Sequence, residues 1–525
     1  MRIVERLLAD KRIVWLGLFL LAVAGVVLMI YITPNGMGLV NDSVGYIGGA
    51  RNILAGNGYS RLTGDHSVVP VTNYPPMFSI VLAALGVFGL DAIPASWWLN
   101  ILLFGVNVLL TGWVVYRMTS AALFGWLAAL IFGVSAPIFQ THSFAMTEPL
   151  YLFLSYVLLL LLIAYLHKPI WIWLVLAGVV AGMAFLTRYV AVSLYVLVGV
   201  ALLAGRSGWR ERLFSILIFL VGALPLPIAW LMRNMAVSEN VANRQFGFHP
   251  IPTDKLTEGL LNFWGWLLPE RAGLVERLLP LWSVVLALVL LAFLGFVVWG
   301  AMRGWRGALL SDRRFFFVWI FALLAASYTA VLWLSLTFVD ASPILEHRIL
   351  SPLYVAAIVL MLAGFDWLWR RKAVAARVVV VVLAVFLLLS LSEDSLDVAR
   401  DLHQDGQGFA SRVWRESEVI RAVRSLPEQG LLVSNKATAI YILTGIPSFI
   451  LPSPLNPATG QPRQGYREDV ARIRQLVREG KGFLVVFDYE QLKEEEEGKS
   501  WMADVASDLP VYGRYADGVI FGLSR

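Results

Sequence analysis

Two acidic residues stand at the ends of apolar segments and are the residues of this chain best suited to chemistry. Asp42 follows the first long apolar segment almost at once, and Glu148 lies just ahead of a later one. A carboxylate at the edge of a membrane is costly and therefore usually functional. The two could bind a divalent cation (Mg, Mn or Ca), or Asp42 could act as a general base that Glu148 helps to orient.

Each acid also has a structural alternative. Asp42 or Ser43 could cap a short amphipathic helix predicted for residues 43–54, which would lie on the membrane surface. Glu148 could serve the start of a helix, with Thr147 as N-cap and the carboxylate in the first turn. His142 and His66 could join a metal site, although a lone histidine is more often structural.

Three arginines also lie near the ends of apolar segments. They are Arg188, Arg233 and Arg348, and Arg233 is followed directly by Asn234. An arginine at a membrane interface can simply extend to water or pair with a carboxylate. Three of them on one side of the membrane would also suit a lipid phosphate.

The composition indicates that these residues belong to a chain of membrane-spanning helices. The chain has 525 residues, of which 58% are hydrophobic and 15% charged. Its net charge of +6 comes from short basic clusters between apolar segments, so we expect no nucleic-acid partner. With no cysteine, disulfide and thiol chemistry are excluded. About eleven transmembrane helices are predicted, at 13–33, 94–116, 120–137, 148–166, 170–186, 189–204, 213–232, 279–301, 315–337, 350–369 and 373–392.

The basic clusters predict the orientation of these helices. Residues 77–90 are apolar but too short to cross comfortably, and leaving them uncrossed places all clusters on one side. That side is the cytoplasm and carries the N-terminus, which we interpret as an uncleaved first helix. The clusters are 1–12, Arg117, Lys168, Arg206, Arg210, Arg212, Arg303, Arg306, Arg313, Arg314, Arg370, Arg371, Lys372 and Arg377.

The opposite face of the membrane should therefore carry the chemistry. The loops 34–76, 138–147, 233–278 and 338–349 open there, and so does the tail. We predict a transmembrane domain at 1–392 and a small soluble α/β domain at 393–525, with strand-like segments near 430–434 and 483–487. The protein is expected to lie in the plasma membrane with this domain outside the cytoplasm.

Taken in order, these motifs resemble the GT-C class of integral membrane glycosyltransferases. The likeness is to the branch of protein O-mannosyltransferases and lipid A aminoarabinose transferases (family 39-like), and it covers most of residues 1–370. The matching features are Asp42 with Tyr46 and 50–54, Tyr74-Pro75-Pro76, Glu148, Thr187-Arg188, Arg233-Asn234, and Arg348 to Pro352.

The resemblance implies transfer of a sugar from a polyprenyl-phosphate donor to a hydroxyl of a glycan, lipid or protein acceptor, with inversion. Asp42 would be the catalytic base and Glu148 its partner. Where relatives often carry an acidic-basic or histidine residue before Pro-Pro, this chain has Asn73-Tyr74. The phosphate contact must therefore come from elsewhere, and Arg188, Arg233 or Arg348 are candidates. We expect substrate contacts from Tyr46, Tyr74, His142, Arg188, Arg233, Asn234 and Arg348.

Two other classes of function remain open from the sequence. A transporter or flippase of a lipid-linked sugar would place charged residues at helix midpoints, and the predicted helices carry almost none there. A non-catalytic membrane protein that displays the C-terminal domain would not need Asp42.

Overall fold

A computed structural model describes residues 10–205, 208–238, 247–267, 277, 279–305, 308–340, 342–371, 373–427, 430–455, 462–494 and 496–523. Some of the basic residues that predict the orientation, those in residues 1–9 and Arg206, Arg306 and Lys372, lie outside these ranges.

The helices, numbered in chain order, are α1 Lys11–Ile32, α2 Asn41–Leu54, α3 Met77–Gly86, α4 Ala92–Thr119, α5 Ala122–Val134, α6 Ala136–His142, α7 Glu148–His167, α8 Trp171–Phe185, α9 Val192–Gly205, α10 Trp209–Ala223, α11 Pro225–Ser238, α12 Thr253–Gly265, α13 Leu279–Trp305, α14 Arg313–Phe338, α15 His347–Arg370, α16 Val374–Asp405, α17 Arg412–Arg415, α18 Glu418–Arg424, α19 Ala437–Thr444, α20 Tyr466–Arg478, α21 Tyr489–Glu494 and α22 Glu496–Ala506.

Apolar helices long enough to cross a membrane dominate the chain. The described residues contain six such helices, or eight if each of two bent helix pairs is one span, and four shorter apolar helices. Each of the eleven predicted spans overlaps one of these helices or bent pairs. The short apolar helix α3 has 10 residues and so rises about 15 Å, half the thickness of the hydrocarbon layer.

Two of the spans are broken, and proline accounts for both breaks. Helices α5 and α6 meet at 64° and α10 and α11 at 50°. Pro137 stands in the first turn of α6 and Pro225 begins α11. Proline has no N–H to continue the hydrogen-bond pattern of the preceding helix, but it fits the start of a new one.

The contacts of the chain fall into two compact units. The first comprises Met1–Pro34, Pro75–Phe78 and Ser96–His403. The second comprises Asn35–Tyr74, Ser79–Ala95 and Gln404–Arg525, so it contains the first loop as well as the C-terminal segment. Helix α16 runs past residue 392, where the sequence suggested a domain boundary.

The second unit is built around two small sheets. Strands β1 (Ser60–Leu62) and β2 (Val68–Pro70) pair as an antiparallel hairpin in the first loop. The C-terminal sheet has the order β4-β3-β5-β7-β6, with β3 parallel to β4 and β5 and the remaining pairs antiparallel. Its strands are β3 Leu431–Ser434, β4 Phe449–Ile450, β5 Gly482–Phe487, β6 Val511–Tyr515 and β7 Gly518–Phe521.

The central strand β5 explains why this segment folds as an α/β layer structure. All six of its residues are buried. Leu484 and Val486 belong to one apolar cluster with residues of α20 and α22, and Val485 and Phe487 belong to another with residues of α18 and α19. Because successive side chains of a strand point to opposite faces, an apolar strand of this kind requires helices on both sides.

Candidate active site

Asp42 lies in the first turn of α2, in the second unit. The helix begins at Asn41 with Val40 as its N-cap, so neither Asp42 nor Ser43 is the cap residue. The Ser43 hydroxyl accepts a hydrogen bond from the Val40 N–H at 3.1 Å. The half-buried Asp42 carboxylate stands where the helix dipole favours negative charge.

A tyrosine hydroxyl fixes the Asp42 carboxylate. Tyr74 donates a hydrogen bond to Asp42 Oδ1 at 2.8 Å. Its ring packs at 5.3 Å, centroid to centroid, from the ring of the buried Tyr46, whose carbonyl accepts from the Ser79 hydroxyl at 2.8 Å. A Cβ at Gly45 would lie 3.0 Å from the Tyr74 ring. The aromatic packing therefore orients the Tyr74 hydroxyl toward the carboxylate.

The C-terminal segment holds the other side of this helix start. The Phe409 N–H donates to the Leu39 carbonyl at 2.7 Å. The Thr438 hydroxyl donates to Asn41 Oδ1 at 2.5 Å. Both contacts lie within the second unit, and Asn41 is the residue directly before Asp42. These contacts could not be predicted from local sequence, because the Thr438 contact alone joins residues 397 positions apart.

Glu148 is the centre of a buried ion-pair group in the first unit. Thr147 is the N-cap of α7 and Glu148 its first residue, as predicted, and the Glu148 side chain is 2% exposed. It forms an ion pair with Arg188, which also donates to the Thr147 hydroxyl at 3.2 Å. Arg348 Nη1 lies 3.9 Å from Glu148 Oε1. We call Glu148, Arg188 and Arg348 the Glu148 cluster; its formal charge is +1, and Arg348 also forms an ion pair with the more exposed Glu346 outside the cluster.

The two cations of the Glu148 cluster come from distant parts of the chain. Arg188 precedes the short 3-10 turn Tyr189–Ala191, and Arg348 lies at the start of α15. Their side chains are 21% and 30% exposed, so they remain accessible while the carboxylate does not. Two partly exposed guanidinium groups around one buried carboxylate can bind an anion such as a phosphate.

The predicted pair Arg233 and Asn234 lies on α11. Arg233 Nη1 donates to Asn234 Oδ1 at 3.0 Å, and its guanidinium lies 5.2 Å from the centroid of the Trp230 ring. Trp230 Nε1 donates to the Tyr189 hydroxyl at 3.0 Å, and Tyr189 follows Arg188 directly. The sequence motifs around 188 and 233 are thus joined by side-chain contacts.

His142 lies inside the helical unit. Its side chain is fully buried, with Nδ1 at 2.8 Å from the Ile138 carbonyl and Nε2 at 3.2 Å from Asn107 Nδ2. Both ring nitrogens therefore face protein groups, which supports the structural alternative for this histidine. His66 is exposed in the turn of the β1–β2 hairpin.

The Glu148 carboxylate does not fit a divalent cation. Two guanidinium groups already surround it, and a metal ion placed there would be repelled by both. Within the described ranges, no group of three or more His, Asp or Glu side chains is arranged to hold a metal. We derive no step through a metal, and Asp42 as a metal ligand stays a prediction.

Comparison with known proteins places the fold. No family model matches the chain, and no curated protein matches it. Among solved structures, it matches the oligosaccharyltransferase of Archaeoglobus fulgidus tethered with an acceptor peptide, at TM-score 0.52 and 11% identity over 96% of this chain and 74% of that chain. It also matches AglB from Archaeoglobus fulgidus in complex with an inhibitory peptide and a dolichol-phosphate, at TM-score 0.50 and 11% identity over 91% and 71%.

A further match is ArnT from Cupriavidus metallidurans bound to undecaprenyl phosphate, at TM-score 0.48 and 15% identity over 96% and 97% of the two chains. The likeness to the archaeal structures shows the fold. The chain is an α-helical, multi-pass membrane protein of GT-C architecture with a small α/β region at its C-terminal end, as the sequence predicted.

Proposed function

We propose that the protein transfers a sugar from a polyprenyl-phosphate donor to an acceptor hydroxyl. The observation that carries this proposal is the Asp42 carboxylate, fixed in a helix start by Tyr74 in a chain of GT-C fold. The dolichol-phosphate bound to AglB supports a lipid-phosphate donor for this chain. The Glu148 cluster supplies the cationic charge that such a phosphate requires.

In the proposed reaction, Asp42 accepts the proton of the acceptor hydroxyl. The hydroxyl oxygen forms a bond to the anomeric carbon from the side opposite the phosphate. The bond between that carbon and the phosphate oxygen breaks, and its electron pair leaves with the lipid phosphate. Attack from the opposite side inverts the configuration at the anomeric carbon.

The residues around the two groups have distinct roles in this proposal. Tyr74 holds the Asp42 carboxylate in place. Arg188 and Arg348 stabilise the negative charge that develops on the leaving phosphate. In this proposal Glu148 positions these guanidinium groups, in place of the roles suggested from the sequence, which were to orient Asp42 or to bind a metal with it. Arg233 would add a further positive charge near Tyr189.

The basic clusters support an extracytoplasmic position for this site. The membrane part is proposed to be 1–392, with 393–525 supporting the Asp42 helix through contacts such as Thr438 to Asn41. The absence of cysteine from the chain allows a direct test of orientation. A single cysteine in place of Asn57, in the first loop, should react with a membrane-impermeant thiol reagent added outside the cell, whereas a reaction only after permeabilisation contradicts the orientation.

The function is tested with purified protein in lipid nanodiscs. It is supplied with defined polyprenyl-phosphate sugars and a panel of glycan, lipid and peptide acceptors. The expected result is a glycosylated acceptor with inverted anomeric configuration, together with released polyprenyl phosphate in equal amount. In sealed vesicles, movement of the intact lipid-linked sugar across the bilayer with no new glycosidic bond would instead show a transporter.

A further inference from the structure

A cavity of about 300 Å³ in the first unit lies beside the Glu148 cluster. Its wall includes His347, and the next residue, Arg348, belongs to that cluster. The volume is at the lower end of the range of small-molecule sites, which is roughly 300–1,000 Å³. The remaining polar and aromatic lining comes from three helices, α6, α12 and α16, and from the residue that follows α12. These lining residues are Gln140, Asn262, Trp266, Asp394 and Asp397.

Contacts with neighbouring residues hold the side chains of the cavity wall in place. The buried Trp266 packs against the Tyr354 ring, with the ring centroids 4.7 Å apart, and donates from Nε1 to the Ser135 hydroxyl at 3.1 Å. His347 Nδ1 lies 2.8 Å from the Tyr354 hydroxyl. Asn262 Nδ2 donates to the Leu345 carbonyl at 2.9 Å. A wall fixed in this way loses little entropy when a ligand binds.

The charge of the cavity is opposite to that of the Glu148 cluster. Asp394 and Asp397 are half-buried and lie three residues apart on α16, so they share one face of the helix. Among the described residues that line the cavity, none is lysine or arginine. Asp397 also pairs with Arg400 at 3.4 Å, but both side chains are largely exposed and such a pair is weak, so the described wall stays acidic and disfavours an anion such as a phosphate, whereas the Glu148 cluster can attract one.

We infer that this cavity binds a saccharide without negative charge. Two carboxylates, two amides and an imidazole offer several hydrogen-bond acceptors and donors to hydroxyl groups, and the indole of Trp266 offers an apolar contact to the C–H side of a sugar ring. Resting on the proposed function, this saccharide is the acceptor. The two neighbouring charge environments would then separate the phosphate-bearing donor from the acceptor.

Cysteine protection tests this inference without requiring sugar transfer. Gln140→Cys places a single thiol on the cavity wall of an otherwise cysteine-free chain, and Leu261→Cys offers a second position in the same wall. The matched control is Asp401→Cys, at an exposed position of α16 that does not line the cavity. The measured quantity is the rate of labelling by a small polar maleimide, with the whole protein in nanodiscs.

The probes are methyl glucoside, methyl glucosaminide and glucose 1-phosphate. At about five times the dissociation constant, the first two should slow labelling of either wall cysteine roughly sixfold, and Asp394→Asn should raise that dissociation constant about tenfold, which leaves only about 1.5-fold protection. Glucose 1-phosphate should protect neither, and the control thiol should react at one rate throughout.

Equal labelling rates with and without the two uncharged or amine-bearing sugars overturn the inference, as does protection by glucose 1-phosphate. Protection in a protein that transfers no sugar would leave the saccharide site standing and remove the proposed reaction. Sugar transfer without protection of the wall cysteines would support the proposed reaction and overturn the saccharide site.

Discussion

Neutralising Glu148 should destabilise the protein markedly, because its carboxylate is buried between two cations. At 3.9 Å and an effective dielectric constant of about 20, its attraction to Arg348 is about 4 kcal/mol before the cost of desolvation. Removing one partner of a buried ion pair costs about 3–5 kcal/mol. Arg188 and Arg348 are 21% and 30% exposed and can regain some hydration. We therefore expect Glu148→Gln to lower the free energy of unfolding by about 3 kcal/mol.

The assay is unfolding in mixed micelles, followed by the fluorescence of the chain's 20 tryptophans. Glu346→Gln is the matched control, because Glu346 also pairs with Arg348 but has a 46% exposed side chain. Its loss should cost about 0–1 kcal/mol. The double variant Glu148→Gln with Arg188→Gln should recover part of the stability, because one uncompensated cation is removed. If Glu148→Gln unfolds at the same denaturant concentration as Glu346→Gln, the carboxylate is not the centre of a buried charge cluster.

Three further predictions concern the placement of the two charged groups. Tyr74→Phe removes a hydrogen bond to a charged acceptor, so kcat should fall about tenfold with the donor KM unchanged, whereas Tyr512→Phe in β6 should transfer at the wild-type rate. Gly408→Ala should lower the rate of sugar transfer strongly, because the added Cβ would lie 2.2 Å from the Leu39 carbonyl oxygen. The matched control is Gly445→Ala, which shares the left-handed backbone but has open space around the added Cβ, so its transfer rate should fall less. Arg188→Gln should raise the donor KM at least about tenfold, since a charge-assisted contact to phosphate is lost.

Each of these predictions has an outcome that would contradict it. A Tyr74→Phe protein with unchanged kcat would show that its hydroxyl does not orient the carboxylate. Equal transfer by the two glycine variants would show that the Leu39 contact does not support the Asp42 helix. A change in acceptor KM alone for the Arg188 variant would place this arginine with the acceptor and not with the phosphate.

Much of the membrane architecture could be predicted because it depends on local composition. A span of the bilayer requires a long apolar segment, and such segments stand out in this sequence whatever their neighbours. The start of α7 at Thr147-Glu148-Pro149 was likewise readable, because helix caps use few residue types. The two central strands of the C-terminal sheet, β3 and β5, were visible as short apolar segments.

The arrangement of the candidate site could be predicted only in part. The sequence named Glu148, Arg188 and Arg348 separately, but their meeting depends on how α7, α8 and α15 pack. Tyr74 was expected to contact substrate, and its hydrogen bond to Asp42 bridges 32 positions. Helix α2 was predicted to begin two residues late, because Val40 carries no side-chain signal for a cap.

The cavity beside the Glu148 cluster was not foreseen. Asp394 and Asp397 follow the apolar part of α16 and look like the ordinary polar end of a membrane helix. Trp266 looks like one more aromatic residue at a membrane interface. Only the contacts among four separate helices show that these residues share a wall.

The central claim is that Asp42 removes the proton from the acceptor hydroxyl, and its most direct test compares two asparagine variants. Asp65→Asn is the matched control, because Asp65 is an exposed carboxylate in the same first loop. The measurement is the rate of sugar transfer at saturating donor and acceptor. A general base contributes roughly 10²–10⁴-fold, so Asp42→Asn should transfer at least about a hundredfold more slowly than Asp65→Asn. Equal rates for the two variants would contradict the account.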